Sequence, residues 1–387
     1  MKKRMFSLMA LVLCLAVLFT ACSGTVKGNE EYDKVVVAEI GNHEISLAEY
    51  NLIYNLVYNS FDQYYSSFNP NWFSSEIEQG RLGEHLVRET TMEQLKQMYA
   101  TYDLAKKNKV KIDKDLKKKV EKQKKEIISQ NYKDNKGYEE FLASIYTTDA
   151  AFDNYLILCE LYNGLFEKLT AKGGKAYIED KALEKDFIKE NEDKWRVQHI
   201  LISTQEETDA EGNVTKEAKS DSEAFKIANE VIKKLDKGED FNSIIDEYDE
   251  DPGMTKDKYY LFGVGEMVEE FEEASKNLEI GKYTTEPVKT SYGYHIIKRY
   301  PIDTTIEEFQ TYKNQQLQTK VIEMINKKIE TTKSSFDDQK IDEFFKKLQD
   351  EAAAAQAKYE KENYTVQTSE EYEAQKAQEA ENADKTE

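Results

Sequence analysis

Two of the chain's four histidines, His199 and His295, lie inside short apolar alternating runs, Val197-Gln198-His199-Ile200-Leu201-Ile202 and Gly293-Tyr294-His295-Ile296-Ile297. Imidazole is the side chain whose ordinary charge change falls near neutrality, and within a strand it can fix a hydrogen-bond network without any covalent step. Successive side chains of an extended strand point to opposite faces, so Val197, His199 and Leu201 share one face while His295 and Ile297 share another. A histidine so placed is either a satisfied core residue or faces a cleft. Met267 and Phe271 are apolar and four residues apart, the spacing at which helical side chains form one wall. The histidines and cysteines lack metal-ligand spacing. No glycine-rich phosphate loop appears either, so neither a metal nor another cofactor is expected.

The elements that must position these residues follow from periodicity. Ala224, Ala228, Val231, Ile232 and Leu235 recur at helical spacing, with Ser222 as N-cap and Gly238 as stop. A shorter helix fits 241–248, and Asp249-Glu250-Asp251-Pro252-Gly253 ends it in a turn. A strand follows at 259–264. A helix over 266–278 then places Met267, Phe271, Ala274 and Leu278 on one face before Gly281. Residues 195–300 therefore read strand, helix, helix, strand, helix, strand, strand, an α+β unit large enough for its own core.

The blocks His199-Ile200-Leu201-Ile202, Lys237-Gly238-Glu239-Asp240-Phe241, Phe271-Glu272-Glu273-Ala274 and Pro287-Val288-Lys289-Thr290-Ser291-Tyr292-Gly293-Tyr294-His295-Ile296-Ile297-Lys298 occur in this order. Together they resemble a parvulin-type peptidyl-prolyl isomerase domain. The whole chain further resembles the PrsA-type foldase lipoproteins, in which such a domain is inserted into a mostly α-helical chaperone-like domain. The resemblance implies a small antiparallel sheet with surrounding helices. It implies catalysis of rotation about X-Pro bonds, which amide resonance opposes with a barrier of about 18–20 kcal/mol. It assigns His199 and His295 to the family's paired histidines, Thr290 to the threonine that hydrogen-bonds between them, and Asp251 to the position facing the substrate amide. Met267 and Phe271 fall in the proline-ring pocket, with Tyr259, Phe262 and Tyr292 as further substrate-binding positions.

Departures from the family pattern are concentrated before the second strand. Where relatives carry a Gly-Gly-Asp-Leu-Gly turn, this chain reads Lys256-Asp257-Lys258-Tyr259-Tyr260-Leu261-Phe262, without the glycines that permit positive φ. Tyr259 stands where a pocket leucine is expected, and its bulk would narrow the pocket. Tyr292 occupies a position that is serine in some relatives. Glu206, Glu207, Asp209 and Glu211 fill the loop 203–219, where phosphate-directed parvulins carry basic residues, so phosphorylated substrates are not expected to be preferred.

Outside that unit, residues 1–21 have a basic start and an apolar stretch, the pattern of an export signal. Leu18-Phe19-Thr20-Ala21-Cys22 resembles a bacterial lipobox, which implies an acylated Cys22 and an extracytoplasmic, membrane-tethered chain. Cys14 leaves with the signal and Cys159 lies in an apolar helical run, so no intramolecular disulfide is expected. Residues 22–34 suit a spacer. Residues 35–45 read as a hairpin around Gly41-Asn42, and Ser46 with Glu49 as a capping box. The stripe Tyr50, Tyr54, Val57, Tyr58, Phe61 and Tyr65 is either a client-binding wall or ordinary core. Helix returns over 75–108 after Asn69-Pro70-Asn71, and Asp113 caps a lysine-rich helix whose basic face is either membrane-directed or simply solvated. Further helices fit 138–169, 178–189 and two segments within 301–349. The apolar faces of the last two call for the N-terminal helices 35–194 as partners, making 195–300 an insertion. Residues 350–387 are acidic and almost without aliphatics, a disordered or loosely helical tail.

The formal net charge of −21 argues against nucleic acid as partner. The expected partners are unfolded exported proteins bearing X-Pro bonds, together with the membrane, and the sequence leaves a homodimer open. Two functions of different class compete: an exported isomerase and foldase, or a holdase in which the isomerase fold is inactive and serves as a binding module. A solute-binding lipoprotein would need repeated α/β lobes, which are not evident.

Overall fold

The computed structural model describes residues 29–78, 80–132, 134–209, 213–305 and 307–358. The signal segment, Cys14, Cys22, the spacer up to residue 28, Glu211 and the tail beyond 358 lie outside these residues. The chain divides into two compact units, one comprising Ala176–Thr319 and the other the described residues before and after it.

In the first unit Val36–Ile40 runs antiparallel between His43–Ser46 and Ser334–Phe336 in a three-stranded sheet. Ser46 and Glu49 form the reciprocal capping box that opens helix Leu47–Tyr65. Tyr50, Tyr54, Val57 and Phe61 are buried there, and Tyr65 stacks on the buried Trp72 at 5.6 Å. The aromatic stripe is thus core for most of its length, and the client-wall alternative fails for it. The helix expected from residue 75 begins later, at Gly83–Lys107, because Glu76–Glu78 and Arg81–Leu82 first pair as a hairpin. Helices Lys114–Asn131, Asn135–Ser144 and Asp149–Thr170 follow, each opened by a side-chain cap from Asp113, Asp134 or Thr148. Cys159 is buried in the last of them.

The segments before and after the second unit share one core: Phe345 lies 4.7 Å from Tyr54 and Phe344 5.5 Å from Tyr146, ring centre to ring centre. Residues 350–358 continue a helix described from 338 and are exposed. The spacer ends earlier than position 34. Asn29 is buried, with its amide donating to the carbonyls of Leu142, Ala143 and Thr147, so packing begins there.

The second unit is built on a four-stranded antiparallel sheet in the order Tyr260–Phe262, Trp195–Ser203, Gly293–Tyr300, Val288–Thr290. Helices Asp221–Asp236 and Phe241–Tyr248 cover one face, packing Ala228, Val231, Ile232 and Ile244 on Ile200, Ile202 and Ile296. The helix Glu269–Asn277 covers the other, with Phe271 against Trp195, Val197, Phe262 and Ile297. Ser220, not Ser222, caps the first of these helices. Residues 207–216, expected as loop, hold a short hairpin of Glu207–Thr208 and Val214–Lys216. The unit extends beyond 195–300 because Leu183 and Phe187 of helix Asp180–Glu190 pack on Phe309, which is in the helix Glu307–Glu330. An apolar pair on one helix turn needs such a partner, and the sheet core does not supply it.

Candidate active site

The site begins with register. Strand Gly293–Tyr300 pairs with Trp195–Ser203 so that Ile297 lies opposite His199 and His295 opposite Leu201. Residues directly opposite in an antiparallel pair share a face, so Val197, His199, Leu201, His295 and Ile297 all point the same way. This corrects the separate faces expected for the two histidines. Gly293 makes the crossing feasible: its φ is +144°, and a Cβ there would lie 2.2 Å from the carbonyl oxygen of Ile202.

The two imidazoles stack at 5.1 Å with an interplanar angle of 12°, and their Nδ1 atoms are 2.9 Å apart. His199 Nε2 lies 2.8 Å from Asp251 Oδ2, and His295 Nε2 2.8 Å from Thr290 Oγ1. Thr290 therefore ends the chain of contacts and does not bridge the histidines, as the resemblance had implied. Asp251 also accepts from the Gly253 amide at 2.8 Å and from the Tyr260 hydroxyl at 2.7 Å. A Cβ at Gly253 would come within 2.5 Å of the Tyr260 hydroxyl, so a larger residue there would displace that ring.

Donor and acceptor needs constrain the protons. An ionised Asp251 only accepts, so His199 Nε2 carries hydrogen. The 2.9 Å Nδ1–Nδ1 contact requires one hydrogen between the two rings, and the Thr290 hydroxyl, which accepts from the Tyr292 amide, pairs with His295 Nε2. Burial holds His295 neutral, pushing its pKa down to about 3, and the neighbouring His199 acts in the same direction. The hydrogen bond from His199, with those from the Gly253 amide and Tyr260, holds Asp251 well below the usual carboxylate range. Burial pushes neighbouring Asp249 up to about 6 although its Oδ1 accepts from the Leu201 amide at 2.7 Å. The network thus presents a fixed anion beside two aligned rings, of which His295 is held neutral by burial.

Phe271 closes the apolar side, its ring edge-on to both histidines with centroids 5.2 Å from each. Phe262 lies 5.8 Å from Phe271, and Met267 packs against the same cluster. Met267 precedes the helix, which starts at Glu269, so the wall is built from a loop residue and a helix residue.

Two expected substrate contacts are placed elsewhere. In strand Tyr260–Phe262, Tyr260 pairs with Val197 and Phe262 with Trp195, which puts both on the histidine face. Tyr259 has the opposite parity, packing 3.9 Å over the Arg196 guanidinium and 5.0 Å from the Tyr300 ring. Tyr259 and Phe262 are three apart and cannot line one face of a strand. Tyr260, 5.5 Å from the His199 ring and bonded to Asp251, is the residue that sequence reading missed. Tyr292 is 54% exposed at the hairpin turn and takes part through its backbone amide. The glycine-free loop before the strand is held by buried Gln198, whose amide donates to the carbonyls of Lys256 at 2.9 Å and Lys258 at 3.1 Å.

The chain is similar to several known proteins. Residues 182–300 match the family described as the PPIC-type PPIASE domain, and residues 1–157 the SurA-like N-terminal domain. A foldase protein PrsA from Geobacillus kaustophilus is 39% identical over 137 residues, which is 34% of this chain and 41% of that protein. The match to another, from a Geobacillus strain, spans 57% of its length, so these relatives are covered only in part. A foldase protein PrsA from Clostridium botulinum is 27% identical over 348 residues, covering 84% of this chain and 94% of its own. The crystal structure of PrsA from Bacillus subtilis aligns with 77% of this chain and 91% of its own at 21% identity and a TM-score of 0.26.

Proposed function

We propose that this chain, which belongs to the PrsA-type foldases and carries their parvulin-type isomerase domain, catalyses cis–trans isomerisation of X-Pro bonds in exported polypeptides. The observation that carries the reading is the Thr290–His295–His199–Asp251 relay beneath Phe271 and Met267. The planar amide is more dipolar than the twisted one, so an apolar, water-poor cradle favours the twisted form. Phe271, Met267 and Phe262 provide that cradle for the proline ring. Asp251, with a fifth of its side chain exposed, sets a fixed negative charge beside the amide, where it disfavours the charge-separated planar state. His199, His295 and Thr290 keep that carboxylate aimed and ionised without transferring a proton.

The chain acts outside the cytoplasmic membrane, tethered through acylated Cys22, and its clients are secreted proteins that have not yet folded. The motif at 18–22 supports this placement. Among the described residues no helix is long and apolar enough to cross a membrane. One observation favours a second, holding activity: Tyr64 and Phe68, at the end of helix Leu47–Tyr65, are 62% and 79% exposed and offer aromatic surface to unfolded chains. Tyr259, whose bulk was expected to narrow the pocket, packs over the Arg196 guanidinium instead.

A protease-coupled proline-peptide assay tests the reading. The wild-type chain should accelerate isomerisation, and His295→Ala should lower kcat/KM at least about tenfold, or ~1.4 kcal/mol in the barrier. The same variant should suppress aggregation of an unfolded client as well as the wild type does. A wild-type rate equal to the uncatalysed one would remove the isomerase and leave the holdase.

A further inference from the structure

The Tyr260–Phe262 strand pairs with residues 195–197 only, so among the described residues the edge of Trp195–Ser203 beyond that point has no strand partner. Three consecutive acids fill the gap. Asp249 Oδ1 accepts from the Leu201 amide at 2.7 Å, the Glu250 amide donates to the Leu201 carbonyl at 3.0 Å, and Glu250 Oε2 accepts from the Ser203 amide at 2.7 Å. Asp251, the next residue, meets His199 on the same strand. The other oxygen of Glu250 is held by Lys219 at 2.5 Å and Lys216 at 2.8 Å, so a carboxylate with 16% exposure joins the 207–216 hairpin to the strand edge. Burial works against its ionisation, but the two lysines and the Ser203 amide outweigh it and keep the carboxylate charged. A segment without regular structure thereby acquires the rigidity of a sheet edge, and Asp251 inherits it.

We propose that Glu250 is the positioning residue of the site, fixing the 249–251 segment to the strand edge and to Lys216 and Lys219 so that Asp251 is held against His199. It touches no substrate and acts through Asp251. The inference rests on the isomerase reading only for its kinetic arm, since the geometry of the Asp251–His199 pair can be observed without turnover.

The test uses the full chain with Glu250→Gln, and Lys216→Gln/Lys219→Gln as a second variant that leaves the strand edge untouched. Each should lower kcat/KM, Glu250→Gln by about tenfold, and each should raise the Asp251 carboxyl titration followed by carbon NMR. In an Asp251→Asn background Glu250→Gln should cost less than about twofold, because the residue it positions no longer carries the charge. An Asp251 titration unmoved in both variants, or an equal kinetic loss in the Asp251→Asn background, overturns the proposal. If the wild type shows no isomerase activity, the titration alone decides: a raised Asp251 value upholds the positioning role even as the isomerase reading falls.

Discussion

The two faces of the strand Trp195–Ser203 differ in kind although their residues alternate along one backbone. One face sets Ile200 and Ile202 under two helices with Ala224, Ala228, Val231 and Ile232, a packed apolar layer. The other sets His199 beside Leu201 and His295, with Asp251 and Thr290 as hydrogen-bond partners and Phe271 as lid. Both are buried, so burial alone does not separate core from site. What separates them is the use of burial: on the helix-covered face it supplies free energy, and on the histidine face it keeps an imidazole neutral beside a carboxylate kept charged.

If that division holds, changes on the two faces should have different consequences. Ile232→Ala removes a side chain that is 5% exposed and far from the relay in sequence and on the opposite face. It should lower unfolding free energy by roughly 2–5 kcal/mol in urea titrations, with kcat/KM of the folded fraction unchanged within about twofold. A loss of turnover larger than the loss of folded protein would show that the faces are coupled and break the comparison.

The histidine face has its own signature in acid. The unfolded chain takes up a proton on His295 near pH 6.5, whereas the folded chain refuses it until about pH 3. The unfolded state therefore binds more protons in between, and this residue's contribution to stability falls as pH drops from about 6.5, by up to ~1.4 kcal/mol per pH unit. His295→Gln deletes the term. The gap in unfolding free energy between wild type and variant should narrow by about 2 kcal/mol from pH 6.5 to 4.5. Asp249, raised to about 6, titrates in both proteins and cancels, and Asp251, held low, titrates below the window. Parallel stability curves would mean that His295 is protonated in the fold.

Helices with a 3.6-residue apolar stripe, such as Asp221–Asp236, were legible because the period repeats over several turns, and the fold class followed from their order. His199 and His295 were legible as paired residues because each lies in a short alternating run. Register was not legible. Whether His295 faces the side of His199 depends on which residue lies opposite it, and a shift of one reverses every face. The same ambiguity exchanged Tyr259 for Tyr260. Glu250 with Lys216 and Lys219 was invisible for another reason: three charged residues from two separate segments carry no period, and only the fold brings them to one strand edge.

Tyr259 gives the smallest expected effect and the finest discrimination. Its ring covers Arg196, a guanidinium that is 4% exposed and donates to the Pro301 carbonyl at 2.9 Å while pairing with Asp303 at 3.1 Å. Arg196 shares its face with Gln198 and Ile200, away from the relay. Tyr259→Leu keeps an apolar side chain and removes a cation–π contact worth about 0.5–2 kcal/mol. Stability should fall by about 1 kcal/mol, read as a lower urea midpoint, with kcat/KM unchanged. A clear rise in kcat/KM would mean that the tyrosine had been narrowing the proline pocket after all, which requires its ring to reach the histidine face. The parity of the Tyr260–Phe262 strand forbids that, because Tyr260 already occupies the place opposite Val197. A change in turnover would therefore count against the strand register itself, on which the assignment of residues to the two faces depends.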